Sequence, residues 1–315
     1  MIVSYQREWI VRDRKPSSKR PLLKAGAVVL VAVALVSVFA ALAAGKAAKT
    51  PSIAAYRGLG SWVDIYDSGA WAKPEATVQD MHSHGVRTVY IETANSKAKT
   101  AIANPAALAV FIQAAHARGM RVVAWYLPDL KNVNSDYNRI AAAIKFKTPK
   151  GQHFDSFALD IESSAVKSEA TRNGSLNTLS GKIRKLVGKS YPLGAIIPSP
   201  VGIAKKAGYW NTFPYAAVAK TYNVFVPMGY YTYHGKGAVA ATADALNNVK
   251  ILRAQPGCSK VPIHLIGGIA EDSTSAQVQA FANATQKSKC IGASLYGWAG
   301  TSAADWKALK VVKVR

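Results

Sequence analysis

Two acidic residues at the end of one short apolar stretch are the strongest chemical feature of the sequence. Residues 154–162 read Phe-Asp-Ser-Phe-Ala-Leu-Asp-Ile-Glu and predict a buried strand that carries Asp160 and Glu162 at its end. Side chains alternate across a strand, so these carboxylates point the same way, roughly 6.5–7 Å apart. Like charges held close raise the pKa of one carboxyl group, which keeps it protonated near neutral pH. The pair predicts a general acid.

Short apolar runs alternate with amphipathic stretches from residue 57 to the end of the sequence. Such alternation is typical of a parallel sheet, and eight units predict a closed (β/α)8 TIM barrel. The alternative is an open doubly wound sheet, which usually has fewer strands and a glycine-rich phosphate loop that this sequence lacks. The predicted strands are 58–65, 88–93, 121–127, 157–161, 193–197, 224–229, 263–267 and 292–296.

Acidic and aromatic residues gather where these strands end, which is the face of such a barrel that carries the active site. Aromatic rings stack on the apolar faces of sugars and carboxylates bind hydroxyl groups, so this set predicts a carbohydrate site. Each residue also has a structural alternative, because aromatic rings after strands pack as caps, as for Tyr66 and Tyr233, and acids such as Glu271 and Asp272 cap helices. The candidate substrate-binding residues are Asp64, Glu92, Trp125, Tyr126, Met228, Tyr231, Tyr296 and Trp298.

The first 56 residues differ in composition from the rest of the chain. Residues 25–44 are uncharged and apolar, and seven basic but only two acidic residues precede them. Twenty such residues match a bilayer, so 25–45 predict a transmembrane signal anchor, with a cleavable signal peptide as the alternative. Residues 1–24 are then cytoplasmic, 46–56 form a linker and the barrel domain, 57–315, lies outside the cytoplasm. The expected location is the plasma membrane, or the exterior after cleavage.

Charge and cysteine content restrict the partners. The net charge is +23, which would attract anionic polymers, but no nucleic-acid-binding motif accompanies it. Cys258 and Cys290 predict one disulfide in an exported chain, and two buried thiols are the alternative. The six histidines are scattered without metal-ligand spacing, so we expect neither a metal nor another cofactor. The expected protein is a monomer that binds a polysaccharide and, through its N-terminal helix, a membrane.

Residues 155–162 resemble the strand-4 signature of family 18 glycoside hydrolases, Asp-Gly-x-Asp-x-Asp-x-Glu. Asp155, Asp160 and Glu162 match it, whereas Ser156 and Ala158 replace its glycine and its middle aspartate. The resemblance implies that Glu162 is the general acid and that Asp160 orients an acetamido group of the substrate.

Two further segments resemble the same family. Met228-Gly-Tyr230 is similar to its strand-6 Met-x-Tyr, which implies that Tyr230 hydrogen-bonds the reacting acetamido group. Trp298 is similar to its strand-8 tryptophan, which implies that this ring floors a sugar subsite. In that family the N-acetyl group of the substrate is the nucleophile. The Asp-x-Glu pair with Asp64 also resembles family 25 lysozymes, although the later strand-6 aspartate of that family is missing.

The sequence therefore predicts an exported glycosidase acting on a polysaccharide, N-acetylhexosamine polymers among them. One alternative is a glycan-binding barrel that has lost catalysis, because Ala158 stands where the signature has an acid. Another is a structural envelope protein whose barrel presents a basic surface.

Overall fold

Eight parallel strands close into a barrel in the order of the sequence, β1 to β8. The structure is a computed structural model that describes residues 51–206 and 208–313. The prediction of a (β/α)8 barrel is confirmed, and each predicted strand overlaps an observed one. The strands are β1 Gly58–Val63, β2 Thr88–Asn95, β3 Arg121–Leu127, β4 Ser156–Asp160, β5 Leu193–Pro198, β6 Val224–Met228, β7 His264–Ile269 and β8 Gly292–Tyr296.

Helices follow the strands, and the residue just before a helix often accepts a hydrogen bond from a free backbone N–H group of its first turn. Asn104 accepts a hydrogen bond from the N–H of Ala107, and Ser168 accepts one from Thr171, so each caps the helix that follows it. The helices are α1 Ser68–Ala72, α2 Pro74–Ser83, α3 Pro105–Ala117, α4 Val133–Lys145, α5 Glu169–Val187, α6 Pro200–Lys205, α7 Tyr215–Thr221, α8 Gly237–Arg253, α9 Ser275–Lys287 and α10 Ala303–Leu309.

The strands separate two apolar layers, because consecutive side chains face opposite sides of the barrel wall. On β3, Trp125 belongs to the cluster inside the barrel, whereas its neighbour Tyr126 belongs to the cluster between the wall and the helices. The parity of a residue along its strand thus decides whether it can reach the barrel axis.

The interior of the barrel is filled toward the N-terminal ends of the strands. Trp62 stacks on Tyr90 with ring centroids 4.2 Å apart, and His264 lies beside Tyr90 at 5.2 Å. Burial lowers the pKa of His264 to about 4, so this imidazole is neutral at neutral pH. A Cβ on Gly60 would lie 2.6 Å from the Tyr90 ring, so only glycine fits there. Nearer the C-terminal ends the described residues leave two cavities open, of about 540 and 340 Å³.

The last part of the predicted linker belongs to the barrel. Residues Ala54–Tyr56 form a 3-10 turn, and the Tyr56 side chain is buried. Its hydroxyl lies 2.6 Å from the Ser156 hydroxyl and donates to the Phe157 carbonyl at 3.1 Å, which ties this segment to β4.

The predicted transmembrane segment, 25–45, and the basic segment 1–24 lie outside the described residues. Across 51–206 and 208–313, no helix has both the length and the apolar character needed to cross a bilayer.

The prediction of a disulfide between Cys258 and Cys290 is wrong. No bond joins the two sulfur atoms, and both side chains are buried. The Cys258 sulfur faces the main-chain carbonyl of Pro256 at 3.6 Å, whereas the Cys290 sulfur lies 3.5 Å from the Ser288 hydroxyl. An even number of cysteines does not report the distance between their sulfur atoms. In the structure Cys258 lies in the turn before β7 and Cys290 in the turn before β8.

Candidate functional site

Two cavities join at the C-terminal ends of the strands and form one groove. The first, here called the acidic cleft, has a volume of about 340 Å³ and lies over the barrel axis. The second, the basic pocket, has a volume of about 540 Å³ and lies beside the ends of β5 and β6. The residues that line both cavities are Glu162, Met228, Tyr230 and Tyr233.

Four carboxylates line the acidic cleft: Asp64, Glu92, Asp160 and Glu162. Asp64 follows β1, Glu92 lies on β2, and Asp160 ends β4 with Glu162 just beyond it, and β3 separates β2 from β4 in the wall. The sequence predicted all four, and the structure brings them together.

Asp160 is the most deeply placed of these acids. It is 6% exposed, and none of the described residues offers a hydrogen-bond partner to its Oδ1 atom. Burial raises the pKa of Asp160 well above its ordinary value, and the nearby Glu162 and Glu92 raise it further. An unpaired buried polar atom is costly, so this oxygen is poised to accept a hydrogen bond from a ligand.

Glu92 is held from two sides. Its Oε2 accepts a hydrogen bond from the Ile65 N–H at 3.0 Å, and its Oε1 accepts one from the Asn95 amide at 3.1 Å. Burial raises the pKa of Glu92 to about 7, and Asp64 and Glu162 add to the effect. Glu92 is therefore a fixed carboxyl group that exchanges its proton near neutral pH.

Glu162 stands where the two cavities meet, two residues beyond the last residue of β4. Burial raises the pKa of its carboxyl group. The Tyr209 hydroxyl donates a hydrogen bond of 2.9 Å to the Glu162 main-chain carbonyl and so fixes the backbone that carries this acid. A half-buried carboxyl group with a raised pKa, open to two cavities, can do the chemistry of a general acid.

Tyrosines close the cleft opposite β4. The Tyr296 hydroxyl donates to Asp64 Oδ2 at 2.9 Å, and the Tyr230 ring meets the Tyr296 ring edge-on at 6.2 Å. Tyr230 adopts a left-handed backbone conformation, with φ of 45°, which costs a residue with a Cβ about 1–2 kcal/mol. Burial raises the pKa of Tyr230 well above its ordinary value, so its hydroxyl stays a donor.

Trp125 provides an unsatisfied donor in the same cleft. Its side chain is buried, and its indole N–H has no hydrogen-bond partner among residues 51–206 and 208–313. The acidic cleft thus contains one buried donor, at Trp125, and one buried acceptor, at Asp160, that both lack a protein partner.

Ala158 explains why the middle acid of the signature is missing. It is buried inside the barrel in one cluster with Trp62, Tyr90 and Trp125, and its backbone pairs with that of Trp125. An ionised side chain among these rings would be heavily penalised. The carboxylates beside Asp160 are instead Glu162 and Glu92.

Three of the predicted residues do not reach the acidic cleft or the basic pocket. Tyr126 and Tyr231 lie outside the barrel wall, where their hydroxyls contact Asp136 at 2.7 Å and Ser273 at 3.0 Å. The Trp298 indole donates to Asp80 at 2.8 Å, and the residue lines a neighbouring shallow depression that shares Asp64 and Tyr296 with the cleft. The remaining predicted residues line the groove: Asp64, Glu92, Trp125, Asp160, Glu162, Met228, Tyr230 and Tyr296.

Sequence reasoning missed other groove residues. The sequence offers cap packing as an alternative for Tyr66 and Tyr233, yet these side chains are 71% and 69% exposed and line the groove. No pattern in the sequence marks Tyr209 as a groove residue, because it lies in an irregular loop after α6.

The sequence predicts that Glu271 or Asp272 caps the next helix, α9. The cap is instead Thr274, whose hydroxyl accepts a hydrogen bond from the Gln277 N–H at 3.3 Å.

Within the described ranges, no group of histidine, cysteine or acidic side chains has the arrangement needed to hold a metal ion.

The sequence matches no protein-family model and no curated protein sequence. Solved structures do match. An endo-β-1,4-mannanase from Thermotoga petrophila is 11% identical over 77% of this chain and 68% of its own, with a TM-score of 0.61.

Two other solved structures extend the comparison. A chitinase from Chromobacterium violaceum is 13% identical over 81% of this chain and 98% of its own, with a TM-score of 0.56. The spore cortex-lytic enzyme SleL from Bacillus megaterium is 11% identical over 82% of this chain and 74% of its own, with a TM-score of 0.54. At such identities the likeness concerns the fold alone, a (β/α)8 TIM barrel that this chain shares with a mannanase, a chitinase and SleL.

Proposed function

We propose that the protein is a glycoside hydrolase that cleaves a polysaccharide, with Glu162 as the general acid. One observation carries the proposal: Glu162, with a raised pKa, lines both cavities and shares the acidic cleft with Asp160, whose buried Oδ1 has no partner in the described chain. A glycan lying along the groove would place one sugar in each cavity and the glycosidic oxygen beside Glu162.

The reaction follows from this placement. Glu162 gives its proton to the glycosidic oxygen while the bond from that oxygen to the anomeric carbon breaks, so the leaving sugar departs as a neutral alcohol. Positive charge develops on the sugar ring that remains. The other carboxylates of the acidic cleft stabilise that charge, because they surround the position where it forms.

The unpaired groups of the cleft favour an N-acetylhexosamine in it. An acetamido substituent has one N–H donor and one carbonyl acceptor. Its N–H would bind Asp160 Oδ1 and its carbonyl would accept from the Trp125 indole and also from the Tyr230 hydroxyl, so each unpaired atom gains a partner. An acetamido carbonyl held this way can attack the anomeric carbon itself and form a cyclic oxazolinium ion, as in substrate-assisted hydrolysis. Water then adds to the anomeric carbon, the bond to the acetamido oxygen breaks, and the Glu162 carboxylate takes the proton of that water.

We further propose that the barrel acts outside the cytoplasm. The support is the apolar run at 25–44 with its basic flank, which suits either a membrane anchor or a cleaved signal peptide. A glycan-cleaving barrel would meet polymeric substrates there.

A glycan-binding barrel without catalysis is the second candidate, favoured by Ala158. The two candidates differ in turnover. A protein that binds glycans saturably and releases no reducing ends from the same glycans would be such a binding barrel.

The test compares wild type with Glu162→Gln on a panel of polysaccharides that includes N-acetylhexosamine polymers. Glu75→Gln is the matched control, because Glu75 is an exposed acid on α2, away from the groove. We expect Glu162→Gln to release reducing ends about 10²–10⁴-fold more slowly while the control retains full activity. Full activity in Glu162→Gln would contradict the proposal.

A further inference from the structure

The two cavities of the groove differ in charge. Lys205, Lys206 and His234 line the basic pocket, where Glu162 is the only acidic residue of the described chain. The acidic cleft has four acids and one lysine, Lys97. The sign of the lining charge therefore reverses across Glu162.

The two lysines of the basic pocket, Lys205 and Lys206, have no acidic partner among the described residues. The Lys206 ammonium lies 5.6 Å from the centre of the Tyr209 ring, which is also part of the pocket wall. Two adjacent cations without acidic partners create a local positive potential that attracts an anion.

A chain of hydrogen bonds holds the wall of the basic pocket in place. His234 Nδ1 lies 2.7 Å from an Asp244 oxygen, and the Asn248 amide donates to the other Asp244 oxygen at 2.8 Å. The Ser199 hydroxyl donates to Asn248 Oδ1 at 2.8 Å. With Nδ1 engaged, the opposite nitrogen of His234 is turned toward Gly202, which lines the pocket. This wall is preorganised.

The size and surface of the pocket suit a whole sugar. Its volume, about 540 Å³, exceeds that of a small ion, and Ile203, Met228, Tyr209 and Tyr233 supply apolar and aromatic walls. A sugar ring can lie on these walls while a charged substituent reaches the lysines.

Electrostatics assign the two cavities to different sugars. The sugar that becomes positively charged must lie among the carboxylates of the acidic cleft, because nearby ammonium groups would oppose that charge. The sugar that leaves with the proton from Glu162 then lies in the basic pocket.

We propose that the basic pocket is a subsite for an anionic sugar, one that carries a carboxylate or a phosphate ester, on the leaving-group side of the cleaved bond. This inference rests on the proposed function for the direction of cleavage. It makes the substrate a glycan in which acidic units follow the units bound in the acidic cleft.

The experiment measures binding of three small probes to the full-length protein at low ionic strength: glucuronate, glucose 6-phosphate and glucose. We expect one or both anions to bind about ten-fold more tightly than glucose, with the preference weakening as salt is added. The stronger anion identifies the substituent. The preference should disappear in the Lys205→Met/Lys206→Met variant and persist in Lys250→Met/Lys287→Met, which removes two exposed lysines of α8 and α9.

Charge reversal provides a second variant with a stronger effect. In Lys205→Glu/Lys206→Glu we expect the order of affinities to invert, so that glucose binds better than either anion, while the melting temperature shows an intact fold. Equal binding of all three probes to wild type, or an anion preference that survives both pocket variants, would overturn the proposal.

The result is separable from the test of the proposed function. Anion preference without hydrolysis by the wild type would leave the subsite standing and remove the glycosidase. Hydrolysis that depends on Glu162, without any anion preference, would support the glycosidase and overturn the anionic subsite.

Discussion

The Tyr209 hydroxyl donates a hydrogen bond of 2.9 Å to the main-chain carbonyl of Glu162. It connects the loop after α6 to the residue that we assign as the general acid, and so links the wall of the basic pocket to the chemistry. Burial raises the pKa of Tyr209 to about 12, with Glu162 and Asp160 adding to the effect, so the hydroxyl remains a donor at neutral pH.

Removal of that hydroxyl should displace Glu162 without unfolding the protein. We expect Tyr209→Phe to lower kcat about ten-fold, a loss typical of a mispositioned catalytic group, while KM changes little because the ring remains. Steady-state kinetics measure the two constants, and circular dichroism checks the fold. A rise in KM at constant kcat would mean that Tyr209 only binds substrate.

The buried acid at Glu92 should make stability depend on pH. Its pKa in the folded protein, about 7, exceeds the ordinary 4.5, so between these values the folded state holds more protons than the unfolded state. Stability is therefore lost as pH rises through this range. We therefore compare the free energy of unfolding of Glu92→Gln with that of wild type at two pH values. The difference, variant minus wild type, should be about 2–3 kcal/mol more favourable to the variant at about pH 8 than at about pH 4. Urea unfolding at both pH values measures this difference, and a constant difference would contradict the raised pKa.

The exposed rings of Tyr66 and Tyr233 should contribute to binding and not to stability. We expect Tyr66→Ala and Tyr233→Ala to change the free energy of unfolding by less than about 0.5 kcal/mol, since both rings are exposed. Each should raise KM by about five-fold, equivalent to ~1 kcal/mol of ring contact with substrate. Val239→Ala on α8, an exposed side chain that does not line the groove, is the control. Unchanged KM in both tyrosine variants would remove these rings from the substrate path.

The cysteines should behave as thiols. Burial raises the pKa of Cys258 to about 11, so it should react slowly with alkylating reagents in the folded protein and rapidly after unfolding. We expect dithiothreitol to leave the melting temperature unchanged, because no disulfide is present to reduce. A disulfide closing that segment would contribute about 3–4 kcal/mol, and its reduction would lower the melting temperature by roughly 10 °C.

The barrel and the acids on β4 were predictable because the signals that specify them are local. Apolar runs, helix caps and the position of a carboxylate after a strand are all written within a few residues of each other. The sequence therefore places Asp160 and Glu162 correctly, and the closed order of strands brings Asp64 after β1 and Glu92 on β2 into the same cleft.

The direction in which rim side chains point was harder to predict. Strand alternation would have placed Trp125 inside the barrel and Tyr126 outside it. At the end of β6 the same alternation places Met228 and Tyr230 with the cluster inside the barrel and Tyr231 with the outer cluster, against Phe281. The positive φ of Tyr230 at this turn depends on tertiary packing.

The basic pocket had no sequence signal at all. Lys205 and Lys206 are two of forty basic residues, and nothing in their neighbourhood marks them as different. The fold brings them to the site, because the end of α6 and Glu162, two residues beyond β4, line the same pocket. The wrong disulfide prediction has the same origin, since spacing in the chain did not report distance in space.

The most direct test of the central claim is the response of Glu162→Gln to the leaving group of the substrate. The measurement compares hydrolysis of two aryl glycosides of one N-acetylhexosamine oligosaccharide, one with a dinitrophenyl group and one with a methylumbelliferyl group. A dinitrophenolate departs without a proton, so we expect the variant to keep rates within about ten-fold of wild type on it and to lose about 10³-fold on the other. Equal losses on both substrates, or no loss on either, would contradict the assignment of Glu162 as the general acid.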